Sequence, residues 1–306
     1  MRIAIVGAGG VGGYFGGRLA AAGEDVTFVA RGRHLAAMRE NGLKIVSPRG
    51  DAVVTGFRAV ETIGEIGTAD LVIVGVKLWD TEEVAAQLGP IAKAGAAIVS
   101  FQNGVNKDEV LARHVPRSAI IGGLSYIAAS ISEPGVIGHS GQLQKLVFGE
   151  YGGAISARCE AFLAACQKSG FDAEISGSIE RLIWEKFVFL VGLSGSTTLF
   201  RTTVGPVRED ATKRELLLNL MREVVTIGRA KGVPLAETFA AERLAFVDTL
   251  PPGMPSSMKV DLERGNRLEL PWLSGAVVEY GRQLGIPTPA NDHVVAELMP
   301  FVNGKN

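Results

Sequence analysis

The chain has 306 residues, which at about 150 residues per domain predicts two domains with a core each. Its charge is balanced, with 31 basic and 32 acidic residues and no block of Lys and Arg, so neither nucleic acid nor an anionic membrane is an expected partner. A hydrophobic share of 47% excludes a disordered chain. Glycine is abundant, at 39 residues, and most of them precede residue 178.

Several features of the sequence indicate the cellular compartment of the protein. Arg2, an apolar stretch and an Ala-Ala-Ala run give the N-terminus some likeness to a signal peptide, but its cluster of glycines is atypical of a helical signal core. Cys159 and Cys166 lie in a predicted helix, where seven residues rise about 10.5 Å, too far for a disulfide. The longest uncharged runs, 3–17 and 118–132, are shorter than the roughly 18 residues of a membrane helix. We therefore expect a reduced, cytoplasmic protein with no membrane helix.

The order of predicted elements divides the chain at about residue 177. Before it, β-branched runs alternate with helical patterns: strands at 2–6, 25–30, 71–76, 96–100 and 119–122, and helices at 10–22, 32–41, 81–93 and 106–113. After it the spacing is helical, over 178–193, 207–231, 236–249, 256–283 and 290–302. These patterns predict an α/β domain with a doubly wound sheet over 1–177 and an all-helical domain over 178–306.

The first strand leads into a glycine-rich turn, Gly7-Ala8-Gly9-Gly10-Val11-Gly12, which opens a predicted helix. This context gives the G-x-G-x-x-G pattern its specificity for dinucleotides. Gly7 suits the tight turn, Gly9 the approach of a pyrophosphate, and Gly12 close helix–strand packing, while the N–H groups of the helix start, Gly10 and Val11 among them, favour an anion. The alternative is a glycine-rich turn that holds no ligand.

The end of the second strand indicates which dinucleotide is bound. An NAD enzyme carries Asp or Glu there, whereas this chain has Ala30 followed by Arg31, Gly32 and Arg33. A guanidinium suits the 2′-phosphate of NADP(H), so NADP(H) is the predicted cofactor and Arg31 its phosphate ligand. The alternative is that Arg31 and Arg33 are solvated loop charges.

Lys77 and Asn103 follow two further predicted strands, at the edge where open α/β sheets bind ligands. Both are candidates for the nicotinamide half of the cleft. A surface lysine and an Asn-Gly turn are the alternatives.

In the second half Lys186 lies within an apolar helix, Ser256 and Ser257 precede another, and Glu269 follows in Leu-Glu-Leu-Pro-Trp. A solvated lysine, an N-cap serine and a surface acid explain them equally well. Residue types and spacing alone do not assemble them into a site.

Sequence motifs along the whole chain resemble the ketopantoate reductase (2-dehydropantoate 2-reductase) family. The similar stretches are IAIVGAGGVGGYFGGRLA at 3–20, VARGRHLAAMRENGL at 29–43, VKLWDT at 76–81, FQNGV at 101–105, WEKF at 184–187, PSSM at 255–258 and GIPTPAND at 285–292. The resemblance implies an N-terminal Rossmann domain, a helical C-terminal domain like that of 6-phosphogluconate dehydrogenase, and an active site between them.

The resemblance also implies roles for individual residues. Lys186 corresponds to the lysine that polarises the substrate carbonyl and protonates the developing alkoxide, and Glu269 to the acid that positions it. Ser257 corresponds to the serine that binds the substrate carboxylate, Asn103 to the asparagine of the cleft and Lys77 to the lysine near the cofactor. The implied reaction reduces a 2-oxo acid with NADPH, as in the conversion of ketopantoate to pantoate on the route to pantothenate and CoA.

Three positions depart from the family pattern. Family members usually carry asparagines four and eight residues after the lysine, where this chain has Leu190 and Ser194, and Pro271 replaces an aspartate. We keep Ser194 as a substrate-binding candidate. Because a leucine cannot hydrogen-bond, the alternatives are a related dehydrogenase for a less polar hydroxy acid or an imine, or an NADPH-binding protein without turnover. A homodimer is a further expectation, by analogy with related helical domains.

Overall fold

The computed structural model describes residues 1–305, which form two compact units. The first comprises Met1–Asn103 and Lys107–Ile179, and the second Gly104–Asn106 and residues 180–305. The assignment of cofactor binding to residues 1–177 and of substrate binding to residues 178–306 stays a prediction.

The first unit contains one mixed sheet, built from ten strands within residues 1–305. These are β1 Arg2–Val6, β2 Asp25–Val29, β3 Leu43–Val46, β4 Ala52–Val54, β5 Arg58–Val60, β6 Leu71–Val74, β7 Ala97–Ser100, β8 Ile120–Glu133, β9 Val136–Gly149 and β10 Asp172–Ile175. Their order is β4-β3-β9-β8-β7-β6-β1-β2-β5, with β10 paired to β9. The run from β8 to β5 is parallel, as predicted, whereas β8 with β9 and β3 with β4 are antiparallel.

The helices of the first unit are α1 Gly10–Ala21, α2 Gly32–Asn41, α3 Thr81–Gln87, α4 Gly89–Lys93, α5 Lys107–Ala112 and α6 Ala157–Lys168. Those of the second are α7 Ile179–Leu199, which begins on the last residue of the first unit, α8 Val204–Glu209, α9 Ala211–Ala230, α10 Phe239–Asp248, α11 Ser257–Arg264, α12 Ser274–Leu284 and α13 Pro289–Leu298. The predicted helical character of the second half is therefore confirmed.

Several predicted helices were wrong in extent. The helix predicted over 178–193 continues to Leu199 as α7. The helix predicted over 207–231 is divided between α8 and α9 at Asp210, whose backbone is extended. The helix predicted over 81–93 is divided between α3 and α4 by the sequence Leu88-Gly89-Pro90. The helix predicted over 256–283 ends at Arg264, because Gly265 adopts a left-handed φ of 68°, and it resumes as α12 after a 3₁₀ turn that contains Pro271.

The β8–β9 hairpin is the largest element that the sequence did not predict, since only 119–122 was expected as a strand. Glycine, serine and alanine are frequent in β8, and glycine and polar residues are frequent in β9, which weakens the β-branched signal. Antiparallel pairing from Gly122 with Gly149 to Glu133 with Val136, interrupted by two register shifts, supplies the backbone hydrogen bonds that composition did not suggest.

Alternate residues of β1 belong to two different cores. Ile3 and Ile5 belong to one buried cluster with Phe28 and Leu146, whereas Ala4 and Val6 belong to another. Because side chains alternate across a strand, the central sheet is covered on both faces, which is the doubly wound arrangement.

The second unit packs around α7. Among residues 1–305, α7 is the one helix long and apolar enough to cross a membrane, yet 67% of its most apolar window is buried inside the structure. Trp184, Phe187, Val188 and Val191 contribute to the core with residues of α9 and α12. Such burial is typical of a core helix of a soluble protein.

Part of the glycine surplus follows from the packing of α1 on the sheet. A Cβ on Gly16 would lie 2.6 Å from Phe28 Cε1 and 2.7 Å from Ile5 Cγ1, and one on Gly13 would lie 2.7 Å from Ile137 Cδ1. Both glycines therefore let α1 approach side chains of the strands.

We predict that Gly16→Ala lowers the free energy of unfolding by about 1–3 kcal/mol, because the added methyl overpacks a filled interface. Gly64→Ala is the matched control: it adds a methyl with nothing within 4 Å, so its effect should stay within about 0.5 kcal/mol. Urea denaturation of both variants checks this. Equal stabilities would contradict the packing argument.

Candidate functional site

The glycine-rich turn closes through contacts between backbones. Gly7 has a φ of 99°, and a Cβ there would lie 2.6 Å from the Val76 nitrogen. A Cβ on Gly12 would lie 2.1 Å from the Gly7 oxygen. Both positions therefore require glycine, which agrees with the tight turn and close packing predicted for them.

Gly9 and Gly10 differ in what surrounds them. A Cβ on Gly9 would come no closer than 4.0 Å to another atom, so the protein leaves room beside this backbone, as the approach of a pyrophosphate requires. A Cβ on Gly10 would lie 2.1 Å from the Ala129 oxygen of β8, so this glycine also permits the packing of α1 against the hairpin.

The start of α1 suits an anion. Gly9 is its N-cap and supplies no side-chain hydrogen bond, and its first turn, from Gly10 through Val11 to Gly12, contains no acidic residue. The first N–H groups of a helix lack intrahelical acceptors and carry the positive end of its dipole. A dinucleotide pyrophosphate therefore fits this turn.

Arg31 lies where the second strand predicted it, as the N-cap of α2 directly after β2 and Ala30. Arg31 and Arg33 are exposed, and the first turn of α2 contains no acidic residue. This donor set fits a 2′-phosphate.

Lys77 and Asn103 each lie three residues after the end of a strand, and the two strands are neighbours in the sheet. Val74 of β6 is in register with Ser100 of β7, and each of the two residues comes three positions later. Lys77 is exposed, with its ammonium 5.5 Å from the centre of the Trp79 ring, and Asn103 is half-buried. The structure thus brings both to the carboxyl edge of the sheet, where ligands bind in open α/β folds.

A buried glutamine that the sequence did not single out holds these two strand ends. Gln102 is 8% exposed, and its Nε2 donates to the Val76 carbonyl at 2.8 Å and to Thr81 Oγ1 at 2.8 Å. Its Oε1 accepts from Ser100 Oγ at 2.8 Å. Gln102 therefore joins the segment before Lys77 to the segment before Asn103.

Lys107 is a second group that the sequence analysis missed. Its ammonium is buried and donates to the carbonyls of Ser100, at 2.6 Å, and Gly123, at 2.8 Å, with Asp108 Oδ2 at 3.4 Å. Tyr151 donates to the same Asp108 oxygen at 2.6 Å. Burial lowers the pKa of Lys107 from its ordinary value. The group ties the end of β7 to β8.

In the second unit, α7 carries three of the candidate positions on one face. Lys186, Leu190 and Ser194 follow each other at intervals of four residues. Lys186 and Leu190 are half-buried, whereas Ser194 is buried. Glu269 is half-buried and directly precedes the 3₁₀ turn Leu270–Trp272.

The two serines of Pro-Ser-Ser-Met have different surroundings. Ser256 is buried and is the N-cap of α11, accepting from the Lys259 N–H at 3.1 Å. It also accepts from Thr197 Oγ1 at 2.8 Å, which joins α7 to the start of α11. Ser257, the predicted substrate ligand, is exposed. The N-cap interpretation therefore applies to Ser256.

Comparison with known proteins covers both units. Two family profiles match, "Ketopantoate reductase PanE/ApbA" over residues 3–153 and "Ketopantoate reductase PanE/ApbA C terminal" over residues 178–301. The chain belongs to the ketopantoate reductase family. The resemblance stated from the motifs is confirmed.

Individual members of the ketopantoate reductase family match over nearly their full length. The 2-dehydropantoate 2-reductase of Halobacterium salinarum is 34% identical over 94% of this chain and 95% of its own. An uncharacterized oxidoreductase of Bacillus subtilis is 33% identical over 98% of this chain and 99% of its own. The crystal structure of 2-dehydropantoate 2-reductase from Geobacter metallireducens superposes with a TM-score of 0.89 at 31% identity, covering 98% of this chain and 99% of that one. The predicted fold class, a Rossmann-type domain with a helical C-terminal domain, is thereby confirmed.

We predict that Gln102→Leu lowers the free energy of unfolding by about 1–3 kcal/mol, because it leaves the buried hydroxyls of Thr81 and Ser100 without this partner. Gln87→Leu makes the same change at an exposed site and should stay within about 0.5 kcal/mol. Denaturation curves of the two variants and the wild type measure these changes in stability. A Gln102→Leu protein as stable as the control would show that the glutamine does not hold these segments.

Proposed function

We propose that the protein is an NADPH-dependent 2-oxo acid reductase that converts ketopantoate to pantoate. The observation that carries the proposal is membership of the ketopantoate reductase family across both units, together with a strand–turn–helix that fits a pyrophosphate. The enzyme is an oxidoreductase acting on a CH–OH group, and its partner is a small 2-oxo acid.

The first unit binds the cofactor. Gly7, Gly9, Gly10, Val11 and Gly12 hold the pyrophosphate at the start of α1, and Arg31 binds the 2′-phosphate that distinguishes NADP(H). Lys77 and Asn103 serve the nicotinamide half, because they lie together at the carboxyl edge of the sheet. When bound, the cofactor supplies the hydride.

The second unit provides the acid–base groups. Lys186 donates a hydrogen bond to the keto oxygen and then its proton to the alkoxide that hydride addition creates. Glu269 positions Lys186 and the new hydroxyl. Ser257, exposed at the start of α11, binds the substrate carboxylate, and Asn103 and Ser194 complete the substrate ligands.

The cytoplasm suits this chemistry and the state of the thiols. Cys159 and Cys166 are buried and unpaired in α6, and burial raises the pKa of each, so neither is a reactive thiolate. We further propose a homodimer, by analogy with related helical domains.

A second candidate function rests on Leu190. This side chain lies half-buried on the face of α7 that carries Lys186, where the family usually supplies an amide. An apolar group there favours a 2-oxo acid that lacks the hydroxyl of ketopantoate. An enzyme with this preference would be a related dehydrogenase of the same family that acts on a less polar hydroxy acid.

We predict that the wild type reduces ketopantoate with NADPH in preference to NADH, at a kcat/KM of about 10⁴ M⁻¹s⁻¹ or above. Lys186→Ala should lower kcat by about 10²–10⁴-fold while leaving the Kd for NADPH unchanged, because only the proton donor is lost. Lys213→Ala, at a lysine paired with Asp210 on the surface of α9, is the control and should keep full turnover. NADPH absorbance and binding titrations measure both quantities. Turnover unaffected by Lys186→Ala, or NADPH binding with no reduction of any 2-oxo acid, would refute the proposal.

The Leu190 hypothesis makes a separate prediction with two substrates that differ by one hydroxyl, ketopantoate and 3,3-dimethyl-2-oxobutanoate. If Leu190 selects the less polar acid, Leu190→Asn should shift the ratio of kcat/KM values toward ketopantoate by about tenfold. Leu244→Asn, at a half-buried leucine of α10, should leave the ratio unchanged. A ratio that does not move in either variant removes Leu190 as a specificity residue.

A further inference from the structure

His34 lies in the first turn of α2 and makes two hydrogen bonds to distant backbone groups. Its Nε2 is 2.9 Å from the carbonyl oxygen of Ala8, within the glycine-rich turn. Its Nδ1 is 3.0 Å from the backbone nitrogen of Gly135, which lies between β8 and β9. The side chain is half-buried, and although His34 lies in the family-like stretch 29–43, neither the sequence analysis nor the proposed mechanism assigns it a role.

These two bonds determine the protonation state of the ring. The Gly135 N–H can only donate, so Nδ1 must accept and carries no proton. The Ala8 carbonyl can only accept, so Nε2 must carry the proton. The imidazole is therefore neutral, with its proton on Nε2. A second proton on Nδ1 would oppose the Gly135 N–H and break that bond.

Each partner of His34 belongs to an element with little freedom. The Ala8 carbonyl shares its planar peptide with the Gly9 nitrogen, so the bond to Ala8 fixes the plane of the peptide that leads into α1. The Gly135 carbonyl accepts from the Lys44 N–H at 2.9 Å, and a Cβ on Gly135 would lie 3.0 Å from Ala37 Cβ of α2. His34 thus connects the glycine-rich turn with the β8–β9 turn, which is itself held by the hydrogen bond from Lys44 and by its packing against α2.

We propose that His34 is a positioning residue for the cofactor: its Nε2–H donates to the Ala8 carbonyl and so orients the Ala8–Gly9 peptide beside which the pyrophosphate binds. This inference rests on the proposed function, because it assumes that the glycine-rich turn holds NADP(H). His34 itself touches the turn and not the reacting atoms.

The electrostatic surroundings of His34 agree with a neutral ring. Arg31 is the N-cap of α2, and Arg33, Arg39 and Glu40 lie on that helix. Glu133 precedes the β8–β9 turn and Lys44 follows α2, while residues 7–12 contain no titratable side chain. Burial lowers the pKa of His34 below its ordinary value of about 6.5, against a smaller opposing effect of the bond to Ala8. Protonation of Nδ1, and the loss of the bond to Gly135, therefore belong to the range below pH 6.5.

The experiment uses variants that keep one bond each. Gln at position 34 places an amide NH₂ near the location of Nε2 and retains the donor to Ala8, whereas Asn places an oxygen near the location of Nδ1 and retains the acceptor for Gly135. Ala retains neither. The Kd for NADP⁺, which is stable in acid, is measured by calorimetry at about pH 7.5 and about pH 5 for the full-length protein and the three variants.

At the higher pH, His34→Asn and His34→Ala should weaken NADP⁺ binding about tenfold, and His34→Gln should stay within about threefold of the wild type. Between the two pH values the wild type should follow His34→Gln, because a proton on Nδ1 removes only the bond to Gly135 and leaves the Nε2–H donor to Ala8, which His34→Gln also keeps. The comparison is repeated with NAD⁺, because the 2′-phosphate of NADP⁺ titrates in the same range and is absent from NAD⁺.

Outcomes separate this inference from the proposed function. If the wild type does not bind NADP⁺, the proposed function fails. If it binds but His34→Gln is as weak as His34→Ala, if His34→Asn matches the wild type, or if the wild type loses at low pH an affinity that His34→Gln keeps, the role of the bond from His34 to Ala8 is refuted. His114→Gln, at a histidine paired with Glu82 near the surface, is the control and should retain the wild-type profile.

Discussion

The close approach of three backbone segments at the end of β1 is the constraint on which the rest of the first unit depends. Gly7 lies against the backbone at Val76, and Gly12 lies against the Gly7 carbonyl, at distances that no Cβ could share. This contact brings the start of α1 to the edge where β1 and β6 end. The N–H groups at the start of α1, which suit an anion, and the loop that carries Lys77 are neighbours because of it.

Buried polar groups then fix the loops around that edge. An amide, an ammonium or an imidazole that is buried without hydrogen-bond partners destabilises the folded state. Each such group therefore specifies the positions of its acceptors and donors. Gln102 holds the segments before Lys77 and Asn103, and Lys107 holds the ends of β7 and β8. His34 holds the glycine-rich turn in the same way. Hydrogen bonds within the protein therefore hold the loops at the carboxyl edge of the sheet.

In the second unit, three of the candidate positions lie on a core helix. Residues of α7 that face the interior hold the unit together, and one face of the same helix carries Lys186, Leu190 and Ser194. The hydrogen bond from Thr197 to Ser256 joins this helix to the start of α11, which leaves Ser257 exposed. Residue types alone did not assemble these positions. The family resemblance did, and the roles of Lys186, Ser257 and Glu269 stay predictions.

The sequence by itself determined the central parallel strands, the glycine-rich turn, the arginine after β2 and the helical second half, because local periodicity and the steric demands of glycine act over a few residues. Tertiary structure alone decided the β8–β9 hairpin, whose strands acquire their hydrogen bonds from each other. It also decided the partners of Gln102, Lys107 and His34, which lie up to 101 positions apart in the chain. Only a folded chain brings such groups within hydrogen-bond distance, so no local pattern could have revealed them.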